Sequence, residues 1–132
     1  MKKIALALLL TVIITGNAFA QLDPDADGIG VYFDPCACVH CLDLDAGEHL
    51  GYVVITHPTS EAGVLGWEAK IWNEGPAVVT EWELMGEAVN FATREDEFIV
   101  GLGEPLMNPY SFPAVVMAVI HVFIFDTDTP VE

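Results

Sequence analysis

The chain has 132 residues, of which 53% are hydrophobic, and it carries 20 acidic residues against four basic ones, giving a net charge of −16. The length suits one domain, and the hydrophobic fraction is too high for an intrinsically disordered chain. The charge argues against proteins that bind nucleic-acid phosphates or anionic lipid headgroups through a basic surface.

Residues 1–20 predict a cleavable signal peptide. A lysine pair precedes an apolar run over 4–14, and Ala18 and Ala20 supply the small residues of a cleavage site. The run is about 11 residues long, whereas a bilayer-spanning helix needs about 20, so an uncleaved anchor is the less favoured alternative. We therefore expect a secreted or periplasmic protein with no membrane contact after cleavage. Its mature domain, 21–132, has two basic and 20 acidic residues and a net charge of −18.

Seven short segments of strand-like composition follow, each ended by turn residues. In chain order they are 29–34, 50–57, 64–73, 77–84, 88–92, 97–102 and 114–125. A spacing of about ten residues between strands is typical of an antiparallel sandwich of the immunoglobulin-like kind. We therefore predict an all-β fold, a single antiparallel β-sandwich.

Alternation along these segments predicts the side chains of the core, because successive residues of a strand point to opposite faces. In 64–73 the apolar face begins with Leu65, and the other face carries charges and Trp72. In 77–84 the more apolar face begins with Val78. The predicted core contains Trp67, Ile71, Trp82, Val119 and Phe123.

The segment 114–125 is apolar on both faces, which predicts a central strand with a neighbour on each edge. Its six valines and isoleucines favour a strand over a buried helix. The turn residues of 126–130 normally lead to another pairing strand, and only two residues follow them. We therefore expect a fold shortened at its C-terminus, or an edge filled by an earlier strand or by a partner.

The segments 30–34, 52–59, 66–68 and 98–102 resemble framework segments of a class of small exported bacterial β-sandwich domains. That class is similar in general plan to cohesin-like and carbohydrate-binding-like sandwiches. The resemblance implies a cohesin-like fold and either a protein or a glycan as the binding partner. It implies no catalytic residue.

The segment 23–28 alternates aspartates before a glycine, as calcium-binding loops do at their start. Asp34 stands at the twelfth position counted from Asp23, where a calcium-binding loop places its last carboxylate. An intervening strand would hold it on the order of 20 Å from Asp27, however, at about 3.3 Å per residue. The pattern therefore predicts calcium as a cofactor bound by Asp23, Asp25 and Asp27. A solvated acidic segment is the alternative.

A dense set of soft ligands follows, formed by Cys36, Cys38, His40 and Cys41. In an oxidising compartment we expect a disulfide from Cys36 or Cys38 to Cys41, because a ring between Cys36 and Cys38 is too tight. Free or intermolecular thiols and a soft-metal or redox site are the alternatives, and His49 is a further potential ligand of such a site.

Two aromatic side chains, Trp72 and Tyr110, are predicted to be exposed, and such rings stack on sugars. The sequence has no nucleophile elbow and no phosphate-cradling glycine loop. We therefore predict a non-enzymatic binding or structural module, stabilised by calcium, with a protein or glycan partner and no nucleic acid. The alternatives are a glycan-binding module that uses the aromatics and a soft-metal or redox protein that uses the cysteines.

Overall fold

The computed structural model describes residues 22, 24–107 and 113–125, and within them the protein consists of strands and loops. The seven strands are β1 (Gly28–Tyr32), β2 (Gly47–Thr56), β3 (Val64–Lys70), β4 (Ala77–Leu84), β5 (Ala88–Asn90), β6 (Glu97–Leu106) and β7 (Ala114–Ile124). All seven predicted strands are confirmed, with ends shifted by up to four residues.

Several predictions from the sequence concern residues outside this described part. They are the signal peptide over 1–20, the turn over 126–130, and the side chains of Asp23 and Tyr110. Within the described part, no helix has the length and apolar character that a membrane crossing requires.

The strands form two antiparallel sheets, a larger one in the order β1-β2-β7-β4 and a smaller one in the order β3-β6-β5. The apolar strand β7 is central, as predicted, with β2 on one edge and β4 on the other. Both edges of β7 are therefore occupied by earlier strands of the same chain, which is one of the expected alternatives. The arrangement is consistent with a β-sandwich, whose core lies between the two sheets.

An aromatic group joins the two sheets at the centre of this core. Trp67 and Phe98 of the smaller sheet stack with ring centroids 5.5 Å apart, and Trp82 of the larger sheet meets Phe98 at 4.5 Å. Trp67 is 7% exposed, and Ile71 and Trp82 pack against the buried cluster. The predicted core positions of these three residues are confirmed.

A β-bulge in β7 places Val119 and Phe123 outside this core, so their predicted positions were wrong. Val53 pairs with Ala118 and Val54 pairs with Val116, and the register skips Met117. A bulge adds one residue to a strand and reverses the alternation of faces beyond it. The inward side chains of β7 are consequently Val115, Met117, Ala118, Ile120 and Val122.

Similar register shifts in β3 and β4 show that the predicted inward positions of Leu65 and Val78 were wrong. In β3 the shift lies between Val64 and Gly66, so Val64 packs against the core while Leu65 is 58% exposed. Gly66 permits the close approach of β6, because a Cβ there would lie 2.7 Å from the Val100 carbonyl oxygen. In β4 the register skips Thr80, and Val79 instead of Val78 packs inward.

A second apolar cluster covers part of the outer face of the larger sheet. It contains the buried residues Tyr32, Ala37, Val54 and Ala114. Three of them belong to strands of the sheet, whereas Ala37 comes from the connection between β1 and β2, residues 33–46, here named the cysteine loop. This loop explains why β2 and β7 are apolar on both faces.

Trp67 belongs to the aromatic group and Trp72, five residues later, does not. Replacing each with alanine should therefore change the free energy of unfolding by very different amounts. We expect Trp67→Ala to lower the free energy of unfolding by about 3–5 kcal/mol, because burial is lost and a cavity remains. Exposed Trp72→Ala should change it by less than about 0.5 kcal/mol. Urea unfolding followed by circular dichroism measures both, and equal losses from the two variants would contradict the core position assigned to Trp67.

Candidate functional site

An open cleft lies between the two sheets, and its lining includes residues of both. Ile29 and Val31 pair with the core residues Ile55 and Val53, so their side chains point inward, yet they are 42% and 40% exposed. The cleft has a volume of about 880 Å³. Its apolar walls include Val31, Val79, Trp82, Phe98, Ile120 and Val122.

Trp72 lies in the wall of this cleft, in the loop that follows β3. Its side chain is 64% exposed, and the indole Nε1 donates a hydrogen bond of 3.3 Å to Glu74 Oε1. The predicted exposure of Trp72 is therefore confirmed.

An ion-pair cluster lies beside the cleft and contains Lys70 and Arg94, which are the two basic residues of the described part. Lys70 Nζ is 3.2 Å from Asp96 Oδ2, and Arg94 Nε is 3.1 Å from Asp96 Oδ1. Hydrogen bonds from Arg94 and Lys70 lower the pKa of Asp96. Glu97 adds further contacts of 3.3 Å to Arg94 and 3.9 Å to Lys70. Both cations are therefore already paired with carboxylates.

His49 also lines the cleft, from the inner face of β2. Its Nε2 is hydrogen-bonded to the Asp45 carbonyl oxygen at 2.8 Å. Among the described residues, the group of clustered potential metal ligands consists of Asp34, Cys36 and Cys38, and His49 is not part of it.

The cysteine loop is folded around the Asp34 carboxylate. Oδ1 of Asp34 accepts hydrogen bonds from the backbone N–H groups of Cys38, at 2.8 Å, and Val39, at 3.2 Å. The Phe33 N–H closes the loop by donating to the Val39 carbonyl oxygen at 2.7 Å. Ala37, at the centre, is 1% exposed and adopts a left-handed backbone conformation with φ of 55°.

This fold of the loop brings two thiols and one carboxylate together. The Sγ atoms of Cys36 and Cys38 are 2.9 Å apart, and Cys36 Sγ donates to Asp34 Oδ2 at 3.1 Å. One ligand atom from each of these three residues lies within 4.8 Å of the others. The hydrogen bond with Cys38, burial, and the nearby Asp34 carboxylate raise the pKa of Cys36 to about 12.

The structure has the three cysteines as free thiols, and the disulfide to Cys41 stays a prediction. The two neighbouring sulfur atoms are those of Cys36 and Cys38, the pair whose disulfide ring we expected to be too tight. His40 and Cys41 are exposed and lie outside the cluster. Asp34 holds the loop, because its carboxylate accepts hydrogen bonds from the backbone of Cys38 and Val39.

The acidic segment before β1 has a structural contact. The Asp27 carboxylate accepts hydrogen bonds from the Thr59 backbone N–H, at 2.8 Å, and the Thr59 hydroxyl, at 2.6 Å. The hydroxyl bond and then the backbone bond lower the pKa of Asp27. Asp25 is exposed, and Asp23 is outside the described residues, so the calcium site stays a prediction.

No protein-family model, curated protein or solved structure matches this chain.

The ion-pair cluster predicts that Asp96 stabilises the folded protein to an extent that depends on pH. Its pKa is lower in the folded protein than the ordinary value of 3.8, so its stabilising effect is present above 3.8 and is lost as the pH falls through the folded pKa. We expect the Tm of the wild type to exceed that of Asp96→Asn at pH 6, by a margin that closes toward about pH 3.

Asp43→Asn is the matched control, because Asp43 is exposed and forms no ion pair among the described residues. Its Tm difference from the wild type should stay nearly constant over the same range, measured by thermal unfolding at low ionic strength. The assignment fails if the margin for Asp96→Asn does not change with pH.

Proposed function

We propose that this protein is an exported, non-enzymatic binding module that takes an uncharged apolar molecule into the cleft between its two sheets. The observation that supports this most directly is the exposure of Val31, which points inward from β1 and lines the cleft. Apolar side chains of this kind are normally covered in a sandwich core. The cleft volume of about 880 Å³ lies within the range of small-molecule sites, roughly 300–1,000 Å³.

Charge supports an uncharged ligand. The basic residues beside the cleft, Lys70 and Arg94, are paired with Asp96 and Glu97, so their charges are already compensated by carboxylates. The mature chain carries a net charge of −18, which repels anions at the approach to the cleft. Glu95 in the cleft wall adds to this effect.

The polar residue Asn90 in the cleft lining has a structural role, because its side chain holds the β5–β6 turn. Its Oδ1 accepts hydrogen bonds of 3.0 Å from the backbone N–H groups of Ala92 and Ile99. Its Nδ2 donates to the Glu97 carbonyl oxygen at 3.3 Å. These hydrogen bonds fix the turn between β5 and β6 beside the cleft.

Export through the predicted signal peptide and an immunoglobulin-like or cohesin-like plan are parts of this proposal. A glycan ligand is the second candidate, and the exposed ring of Trp72 at the cleft favours it. The cleft walls are mainly apolar, however, and a sugar needs hydrogen-bonding partners in addition to a stacking surface.

A pair of valine variants tests whether the cleft is the binding site. Val31 lines the cleft, and Val89 is exposed on β5 and is not among the cleft-lining residues. We expect Val31→Glu to weaken binding of the neutral dye Nile red at least about tenfold, because the ligand would desolvate the new carboxylate. Val89→Glu adds the same charge and should leave the affinity unchanged. Fluorescence titration measures the affinity, and equal effects of both variants would refute the assignment.

A pair of ligands tests the chemistry of the occupant. Oleamide and oleate share one hydrocarbon chain and differ in headgroup charge, so displacement of Nile red compares them directly. We expect oleamide to compete at least about tenfold more strongly, because the protein repels the carboxylate. Equal competition by oleate would contradict the charge argument. Displacement by oligosaccharides and not by oleamide would favour the glycan candidate instead.

A further inference from the structure

The cysteine loop holds a second potential site, on the outer face of the larger sheet and separate from the cleft lining. We propose that Asp34, Cys36 and Cys38 together bind one thiophilic metal cation, for which Zn²⁺ is the reference ion. The three residues offer one carboxylate oxygen and two sulfur atoms within 4.8 Å of one another. None of the three is among the residues that line the cleft.

The donors lie closer together than a tetrahedral ion requires. Zn–S bonds of about 2.3 Å and Zn–O bonds of about 2.0 Å require separations of about 3.8 Å between two sulfur atoms and about 3.5 Å between oxygen and sulfur. The present distances are 2.9 Å from Cys36 Sγ to Cys38 Sγ and 3.1 Å from Cys36 Sγ to Asp34 Oδ2. Binding of the ion therefore requires side-chain rotations that move the two sulfur atoms apart by about 0.9 Å.

The backbone on which these donors stand is already fixed. Ala37 separates the two cysteines and is buried in the cluster with Tyr32, Val54 and Ala114. A side chain anchored between two ligands limits how far either ligand can move. A site with so little freedom loses little conformational entropy when the ion binds.

Asp34 also helps to fix the loop, through the carboxylate oxygen that does not contact Cys36. Oδ1 accepts hydrogen bonds from the backbone N–H groups of Cys38 and Val39, which leaves Oδ2 directed at the thiols. Hydrogen bonds to a ligating carboxylate commonly orient it toward the metal and raise the affinity of the site. Asp34 is therefore part of the proposed ligand set, in place of His40 and Cys41.

The donor types select the class of ion. Two sulfur donors favour zinc, cadmium and copper(I) over calcium and magnesium, which prefer oxygen ligands. Binding of one Zn²⁺ releases the protons of both thiols, while the Asp34 carboxylate binds as it stands and water supplies the fourth ligand. The dication thus replaces two protons, and the charge of the loop does not change.

Cadmium titration of the reduced protein tests the site, because sulfur-to-cadmium charge transfer gives an ultraviolet absorption band whose intensity reports the number of thiolates. We expect one Cd²⁺ per chain with two thiolates, displaced by Zn²⁺ and not by Ca²⁺. Cys36→Ser, Cys38→Ser and Asp34→Asn should each weaken binding, the two serine variants by about a hundredfold or more. Circular dichroism checks that each variant is folded.

Cys41→Ser is the matched control, because it removes the exposed thiol outside the cluster. It should change the affinity less than about threefold and leave the band intensity unchanged. A loss equal to that of Cys38→Ser would overturn the proposed ligand set. Failure of the reduced, folded wild type to bind Cd²⁺ or Zn²⁺, or a stable Cys36–Cys38 disulfide found by mass spectrometry in protein isolated without reductant, would overturn the site itself.

Ligand binding in the apolar cleft is tested independently of metal binding. Nile red binding is measured on the same cysteine variants, and we expect it to be unchanged. A metal site without dye binding contradicts only the proposed function, and dye binding without metal contradicts only the metal site.

Discussion

The two apolar faces of β7 are the constraint on which the rest of this structure depends. A strand of this kind must be covered on both faces and paired on both edges, because exposed apolar surface and unpaired backbone groups both cost free energy. The smaller sheet covers one face through the Trp67–Phe98–Trp82 aromatic group. β2 and β4 occupy the edges, and the cysteine loop covers part of the other face through Ala37.

Both candidate sites follow from how this covering is achieved. The inward side chain of Val31 on β1 stays exposed and lines the open cleft between the two sheets. On the other face, the burial of Ala37 holds Cys36 and Cys38 beside Asp34. The same loop also contributes Phe33 and Leu44 to the cleft lining. One connection between two strands therefore carries the proposed metal ligands and completes part of the cleft.

The sequence predicted the strands well, because alternation and turn residues are local signals. It failed where a residue's position depends on pairing with a distant strand. Met117 and Thr80 look like ordinary members of an alternating strand, and only their register with β2 and β7 reveals the bulges. Val119 and Phe123 were assigned to the core for this reason. The cleft is lined by side chains from distant segments of both sheets, which no local pattern brings together. Asp34 precedes the cysteines by two residues, and this spacing was the one available signal for its place in the cluster.

Ala37 fixes the cysteine loop on the outer face of the larger sheet. Nuclear Overhauser effects between the Ala37 methyl group and the methyl groups of Val54 and Ala114 test it directly in the reduced protein. The structure predicts cross-peaks to both residues, since all three belong to one buried cluster. An Ala37 methyl group that shows contacts only within its own loop, with the folded sheet otherwise intact, would contradict the account.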